Sequence, residues 1–355
     1  MKRILSILLA VTIITAAFTS CENNNSALSS AGSQASSDEK AEESPAAAKP
    51  LTNIQINKST SLCGIPTIVA YEKGFFADEG YNVELITADS ETRKLGLNNG
   101  TLPIANWDYA YFPSIENGLG IVVVDGLHRG CITVIVPEDS PIYDVQDLRG
   151  KKIAIEELGG TEAQVTIVWL ESNGIKAAAN EEAELIPYGD GNLELEAAKK
   201  GEVDAVAIWD PIGAIAVKEQ GFRKIFDLTD TEPFAGKYCC FLMASTKILE
   251  EKPEEIAALL RAYHKAQNWI HENPADAVKL VVEKQYVNIN DIDLAVGLIN
   301  NYNYPTYEDR KNGATNVYED VYYFSQKLID LGFLKSSDAK SVADKIYREV
   351  KTNDF

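Results

Sequence analysis

The chain reads as an α/β protein of two lobes with a cleft between them. Three observations predict this. From Asn53 to Ala244, short β-branched runs alternate with stretches of helical apolar spacing, the pattern of sheets covered by helices on both faces. The stretch from Leu51 to Phe355 holds about 305 residues, a length that favours two lobes over a single core. No repeat of solenoid period breaks the pattern.

The elements follow in order. Asn53 to Asn57 alternates like a strand, and Ser59 to Gly64 forms a small polar loop. Pro66 suits a helix start, Ile68, Val69 and Tyr71 continue it, and Lys73-Gly74 ends it. Tyr81 to Ile86 is a second strand. Ser90 to Leu97 reads as a helix capped by Ser90. Pro103 to Trp107 is a short strand and Pro113 to Asn117 a short helix. Ile121 to Asp125 and Ile132 to Val136 are the apolar runs of buried strands. Lys152 to Glu156, Glu184 to Pro187 and Asp204 to Trp209 continue the strands, with helices after Thr161, over Leu193 to Lys200 and after Pro211. Tyr238 to Ala244 is the last strand. Helices then take over, one from Pro253 with Ile256, Leu259, Leu260, Tyr263 and Trp269 on its apolar face, and a late one through Val317, Val321, Phe324 and Leu328. His264 and His271, on the helix from Pro253, are expected in solvent.

The amino end has its own character. Lys2 and Arg3 precede an apolar run from Ile4 to Phe18, and Phe18-Thr19-Ser20 leads to Cys21. A basic start, a short apolar core and small residues before a cut site describe an export signal over 1–20. The cysteine after the small residues resembles the bacterial lipobox, although Phe18 stands where Leu is usual, and this resemblance implies a lipidated Cys21. Residues 21–50 hold no aromatic residue and little apolar character, so they read as a flexible tether. The net charge is −20, and a signal contributing +2 through Lys2 and Arg3 would leave −22. That balance disfavours nucleic acid and anionic lipid surfaces as partners.

Enzyme signatures are missing: there is no GxGxxG, P-loop, HExxH, GxSxG or CxxC. What the chain does carry is a series of blocks. Tyr71-Glu72-Lys73-Gly74-Phe75-Phe76-Ala77-Asp78-Glu79-Gly80, Asp147-Leu148-Arg149-Gly150-Lys151-Lys152-Ile153-Ala154, Gly201-Glu202-Val203-Asp204-Ala205 and Ile208-Trp209-Asp210-Pro211 occur in that order. Together they resemble the ABC-transporter binding proteins for sulfonates, taurine, nitrate and thiamine pyrimidines. The resemblance implies a periplasmic-binding-protein-like fold of type II: two α/β lobes joined by two crossing strands, closing on a ligand by hinge motion. It sets lobe I at 51–136 and 239–355 and lobe II at 137–238.

Ligands of open α/β sheets sit beyond the carboxyl ends of strands. Four loops hold that position. They offer Ser61 and Cys63; Trp107, Asp108 and Tyr109; Gly159, Gly160 and Thr161, whose free N–H groups suit an anion or carbonyl; and Trp209 with Asp210. At least one of Trp107 and Trp209 is expected to face the cleft. Capping is the first reading for Asp210, before Pro211; Asp108 stays open between a cap and an amine contact. His128 and Cys131 lie where the first crossing strand passes, and Tyr238, Cys239 and Cys240 where the second returns. With Cys63, all four cysteines of the body converge near the hinge. Burial or a disulfide is the first reading, ligand contact through His128, Cys131, Tyr238 and Cys240 the next, and a metal the last. Strand alternation lets only one of Cys239 and Cys240 face the cleft. Cys239-Cys240-Phe241 also resembles part of the cysteine-rich stretch of the fungal thiamine-pyrimidine synthases, iron-dependent proteins of this fold; the chain lacks their full CCCFC pattern, with Tyr238 before and Leu242 after.

The expected function is that of an extracytoplasmic substrate-binding lipoprotein of an ABC importer, not an enzyme and with no cofactor. Organic sulfonates such as taurine or an alkanesulfonate rank first as ligand, thiamine-precursor pyrimidines second and nitrate-like anions third. A metal-dependent pyrimidine-synthase-like enzyme or metal-binding protein is the alternative of another class. The expected partners are a small molecule, the permease with its ATPase subunit, and the cell membrane through the lipid anchor at its extracytoplasmic face. The protein is expected to be a monomer.

Overall fold

Alternation of β-branched and aromatic residues sets ten strands in the computed structural model, which describes residues 50–353. The signal segment 1–20, Cys21 and all of the tether but Pro50 lie outside the described residues. The strands are β1 (Thr52–Asn57), β2 (Tyr81–Ile86), β3 (Ile104–Asp108), β4 (Ile121–His128), β5 (Ile132–Pro137), β6 (Lys152–Ile155), β7 (Glu184–Pro187), β8 (Ala205–Trp209), β9 (Phe222–Asp227) and β10 (Cys240–Ser245). β1 and β2 pair in parallel; β10 lies antiparallel between β3 and β4; the third sheet runs β7-β6-β8-β5-β9. In that third sheet the pairs of β6 are parallel and those of β5 antiparallel.

The chain is therefore two α/β lobes of the periplasmic-binding-protein fold. It crosses between them twice, from β4 into β5 at residues 129–131, and from β9 back to β10 through residues 228–239. β5 hydrogen-bonds to β8 and β9, so its sheet is that of the 137–238 stretch, although the sequence boundary set it before Pro137. Its residues Ile132 to Val136 are almost wholly buried, as the apolar run required.

Helix starts follow capping chemistry. The helix Ser90–Asn99 is capped by Asp89, whose carboxylate accepts the Thr92 N–H at 2.7 Å, one residue earlier than the serine expected from sequence. The helix Pro253–Glu272 packs on the helix Ile65–Glu72. His264 on it is buried rather than solvated, because its Nε2 meets the Asp125 carboxylate at 2.7 Å; His271 is exposed. Arg310 reaches the same Asp125 oxygen at 2.8 Å and also donates to Gln267 Oε1 and the Pro305 carbonyl, each at 2.8 Å. Gln267 in turn donates to the Leu127 carbonyl at 2.9 Å. A buried charge cluster thus fixes the carboxyl half of β4 just before the crossing.

Candidate functional site

β3 ends by delivering Asn106, Trp107 and Asp108 to the gap between the lobes. The gap is a cavity of about 780 Å³, within the range of small-ligand sites. Facing β3 across it is the loop Glu156–Gly160, which runs into the helix Thr161–Ser172. Gly159 has φ +81°, a conformation that favours glycine. A Cβ on Gly160 would stand 2.8 Å from the Glu157 Cγ. Gly160 caps the helix without any side-chain hydrogen bond, which leaves the first-turn N–H groups available.

Asp108 faces the wall of the other lobe. Its carboxylate caps the turn Tyr109–Tyr111 by accepting the Ala110 N–H at 2.9 Å, and Thr161 of the other lobe stands near enough to favour its charged form. Burial raises its pKa to about 6 against both neighbours. Asp210 does not cap: the helix begins at Ile212, and the Asp210 carboxyl instead accepts from Tyr302 Oη at 3.3 Å. Burial and the nearby Asp227 raise Asp210 to about 7.

The cavity collects most of the residues expected from sequence: Ser61, Cys63, Trp107, Asp108, Gly159, Gly160, Thr161, Trp209 and Cys240 all line it. Both tryptophans face it. Cys240 lines it and Cys239 does not, but strand alternation is not the reason: Cys239 precedes β10 and the two sulfurs lie 3.7 Å apart. Five others stand behind the wall. Tyr109 stacks on Phe324 with ring centroids 4.2 Å apart. Tyr238 packs over β4, where Gly126 leaves room: a Cβ there would be 2.8 Å from its ring. Asp210 turns to Tyr302, and His128 and Cys131 are sealed beneath the cavity floor.

Sequence reasoning passed over the strongest charged group. Arg93, on the helix Ser90–Asn99, lines the cavity with its guanidinium carbon 4.0 Å from the Trp107 ring centroid. Its Nε is buried and has no hydrogen-bond partner. The Trp107 ring packs against Tyr111 in turn, and the Tyr111 hydroxyl pairs with Ser90 at 2.5 Å. The spacing of Ser90, Arg93 and Lys94 on one helical face was the available signal. Lys58 and Lys94 add positive charge, and Glu91, Glu156, Glu157 and Glu162 add negative charge. Glu162 is only 2 % exposed, and burial together with Glu156 and Glu194 holds its carboxyl well above the usual range.

The family profile described as NMT1/THI5 like matches residues 64–277, more than half of the chain. The chain belongs to the NMT1/THI5-like family. A Bacillus subtilis protein named for aliphatic sulfonate binding is 27% identical over 275 residues, covering 70% of this chain and 73% of its own. Among solved structures, the alkanesulfonate-binding protein of Xanthomonas axonopodis pv. citri bound to MOPS superposes with TM-score 0.63 at 14% identity, over 83% of this chain and 99% of that one. The periplasmic nitrate-binding protein of Synechocystis PCC 6803 gives TM-score 0.66 at 18% identity, over 84% and 86%. These two likenesses establish the fold. Among the described residues no helix is long and apolar enough to cross a membrane.

Proposed function

We propose that the protein is the extracytoplasmic substrate-binding lipoprotein of an ABC importer, and that its ligand is a small organic sulfonate such as taurine or an alkanesulfonate. The observation that carries the reading is the pairing of the Arg93 guanidinium, with its unpartnered Nε, against the uncapped N-terminus of the helix Thr161–Ser172 in one cavity. A guanidinium and free helix N–H groups are the two protein elements best matched to a compact oxyanion. Ser59, Thr60 and Ser61 add hydroxyl donors on the same wall. The buried carboxyls of Asp108 and Glu162 have raised pKa values, so each takes a proton more readily beside an anion and then donates rather than repels. Trp107 and Trp209 offer apolar surface to the organic part of the ligand. The name of the Bacillus relative supports a sulfonate as the first choice of ligand.

Glu156 and Glu157 line the cavity and favour a ligand that also carries an ammonium, which supports taurine-like zwitterions within the class. The export signal, the lipid on Cys21 and the tether belong to this reading, supported by the sequence pattern of residues 1–50. The anchor would hold a monomer at the outer face of the membrane, beside its permease.

The test is a thermal-shift panel on protein stripped of carried-over ligand by unfolding and refolding, with native mass spectrometry of the hits. Taurine and short alkanesulfonates are expected to stabilise the protein by about 2.7 kcal/mol at a hundredfold excess over Kd. Stabilisation by aminopyrimidines or nitrate with none from any sulfonate would overturn the choice of ligand.

A further inference from the structure

Beneath the cavity floor the two crossing segments meet in a cluster that ligand binding does not explain. One ligating atom from each of His128, Cys131, Cys239 and Cys240 lies within 4.8 Å of all the others. All four residues are buried, none more than 6% exposed. The thiols are free. His128 has no solvent contact, and neither ring nitrogen has a hydrogen-bond partner. What the imidazole faces is the sulfur of Cys240, Cys63 and Cys239. A buried imidazole without partners is costly, because water satisfied both nitrogens in the unfolded chain.

A second cost sits at the same place. Cys131 has φ 131°, a positive value in a residue that carries a Cβ. Such strain persists only where the surroundings impose it, and it gathers at functional sites. Here it directs a thiol inward at the point where the chain leaves one lobe for the other. The Cys239 Sγ and Cys240 Sγ atoms are 3.7 Å apart. A tetrahedral cation with metal–sulfur bonds of about 2.3 Å needs sulfurs about 3.8 Å apart.

We propose that His128, Cys131, Cys239 and Cys240 form a tetrahedral site for a thiolate-preferring d10 cation, zinc(II) or cuprous copper. One imidazole and three sulfurs make a soft, closed set that suits these ions and disfavours magnesium or calcium. Binding is not a redox step: each thiol gives its proton to solvent and the thiolate takes the cation. The ligands come from both crossings, two from residues 128–131 and two from the entry to β10. The ion therefore clips the two crossing strands together at the pivot of lobe closure. Cys63 stays outside the set on the cavity wall, tied to Ser61 by a 2.9 Å contact between Oγ and Sγ. The site shares Cys240 with the cavity wall, and its other three ligands stand behind that wall.

The experiment uses the full chain, purified under argon with a non-chelating reductant, stripped of metal and titrated with cobalt(II). The expected result is a thiolate-to-cobalt charge-transfer absorption that breaks at one equivalent and disappears when zinc(II) is added. Cys131→Ser and His128→Ala each lower cobalt affinity by more than the roughly 10–100-fold that loss of an outer-shell partner costs. Cadmium-113 NMR of the unaltered chain gives a readout that needs no variant, and one resonance in the three-thiolate region is expected. The proposal is overturned by absence of the charge-transfer band, by a band undiminished in Cys131→Ser, by a cadmium resonance in the oxygen-ligand region, or by a disulfide between any two of these cysteines in the argon-purified protein.

Discussion

Arg310→Met tests the buried charge cluster that anchors β4 below the crossing. The side chains of Arg310 and Asp125 are 3% and 14% exposed. Removing the guanidinium leaves Asp125 with the His264 ring at 2.7 Å and the Gly126 N–H at 2.8 Å, but without its fixed positive charge. It also leaves the Gln267 Oε1 and the Pro305 carbonyl without this donor. Breaking a buried ion pair from one side costs about 3–5 kcal/mol. A chain of roughly 300 ordered residues unfolds with an entropy of about 0.6 kcal/mol/K, so the midpoint should fall by about 5–8 °C. Calorimetry at pH 7 reads this directly. Acid adds a second signature. Burial alone would raise the Asp125 pKa, but the charge of Arg310 and the hydrogen bond from His264 overcome it and hold the carboxyl well below its usual range. The stability so gained is present above the ordinary pKa near 3.9 and is lost as pH falls toward the depressed value. In Arg310→Met the carboxyl titrates higher, and acid unfolding moves to higher pH. Adding Asp125→Asn should recover part of the loss, because the stranded charge is gone. A loss below about 1 kcal/mol, or a double variant as unstable as the sum of the singles, would refute the reasoning.

Two further predictions concern the cavity and its acidic flank. Arg93→Leu should weaken sulfonate binding by about 10–100-fold, the equivalent of one charge-assisted hydrogen bond, with the fold intact by circular dichroism; isothermal titration checks it, and unchanged affinity would remove Arg93 from the anion site. Glu194 is 1% exposed, and burial, then Glu156 and Asp190, raise its pKa to about 8. Its contribution is intact below the ordinary value near 4.3 and is lost as pH rises through 8, so Glu194→Gln should be neutral at pH 4 and stabilising by on the order of 3 kcal/mol at pH 7. Urea denaturation at the two pH values shows this, and equal effects at both would count against it.

Much of the fold was legible because strand burial is written in local patterns. The run Ile132–Val136 could only be a strand buried on both faces, and Pro66, Pro253 and Pro274 stand at helix starts. The convergence of Cys63, Cys131, Cys239 and Cys240 was readable from where the crossings had to pass. What local pattern could not supply was direction. Arg93 looks like any solvated helical arginine until the helix Ser90–Asn99 is set against β3 and Trp107. His264 reads as a surface residue because nothing near it in sequence announces Asp125, which lies 139 positions away. The cap expected of Asp210 failed, and the open reading of Asp108 was decided, for a similar reason. A proline after Asp210 suggested a cap, yet the helix starts beyond it, whereas Asp108 found its N–H two residues on. Tyr109 and Tyr238 were placed by their neighbours in sequence, but packing against Phe324 and Gly126 decided their side.

Thr161 of one lobe and the Asp108 carboxyl of the other face each other across the cavity with no solute present. Were that pair to hold the lobes together, each tenfold excess of shut over open forms would lower the apparent affinity for a solute by about tenfold. A hydroxyl and a carboxyl on opposite walls would then subtract from the affinity that the solute's own contacts supply.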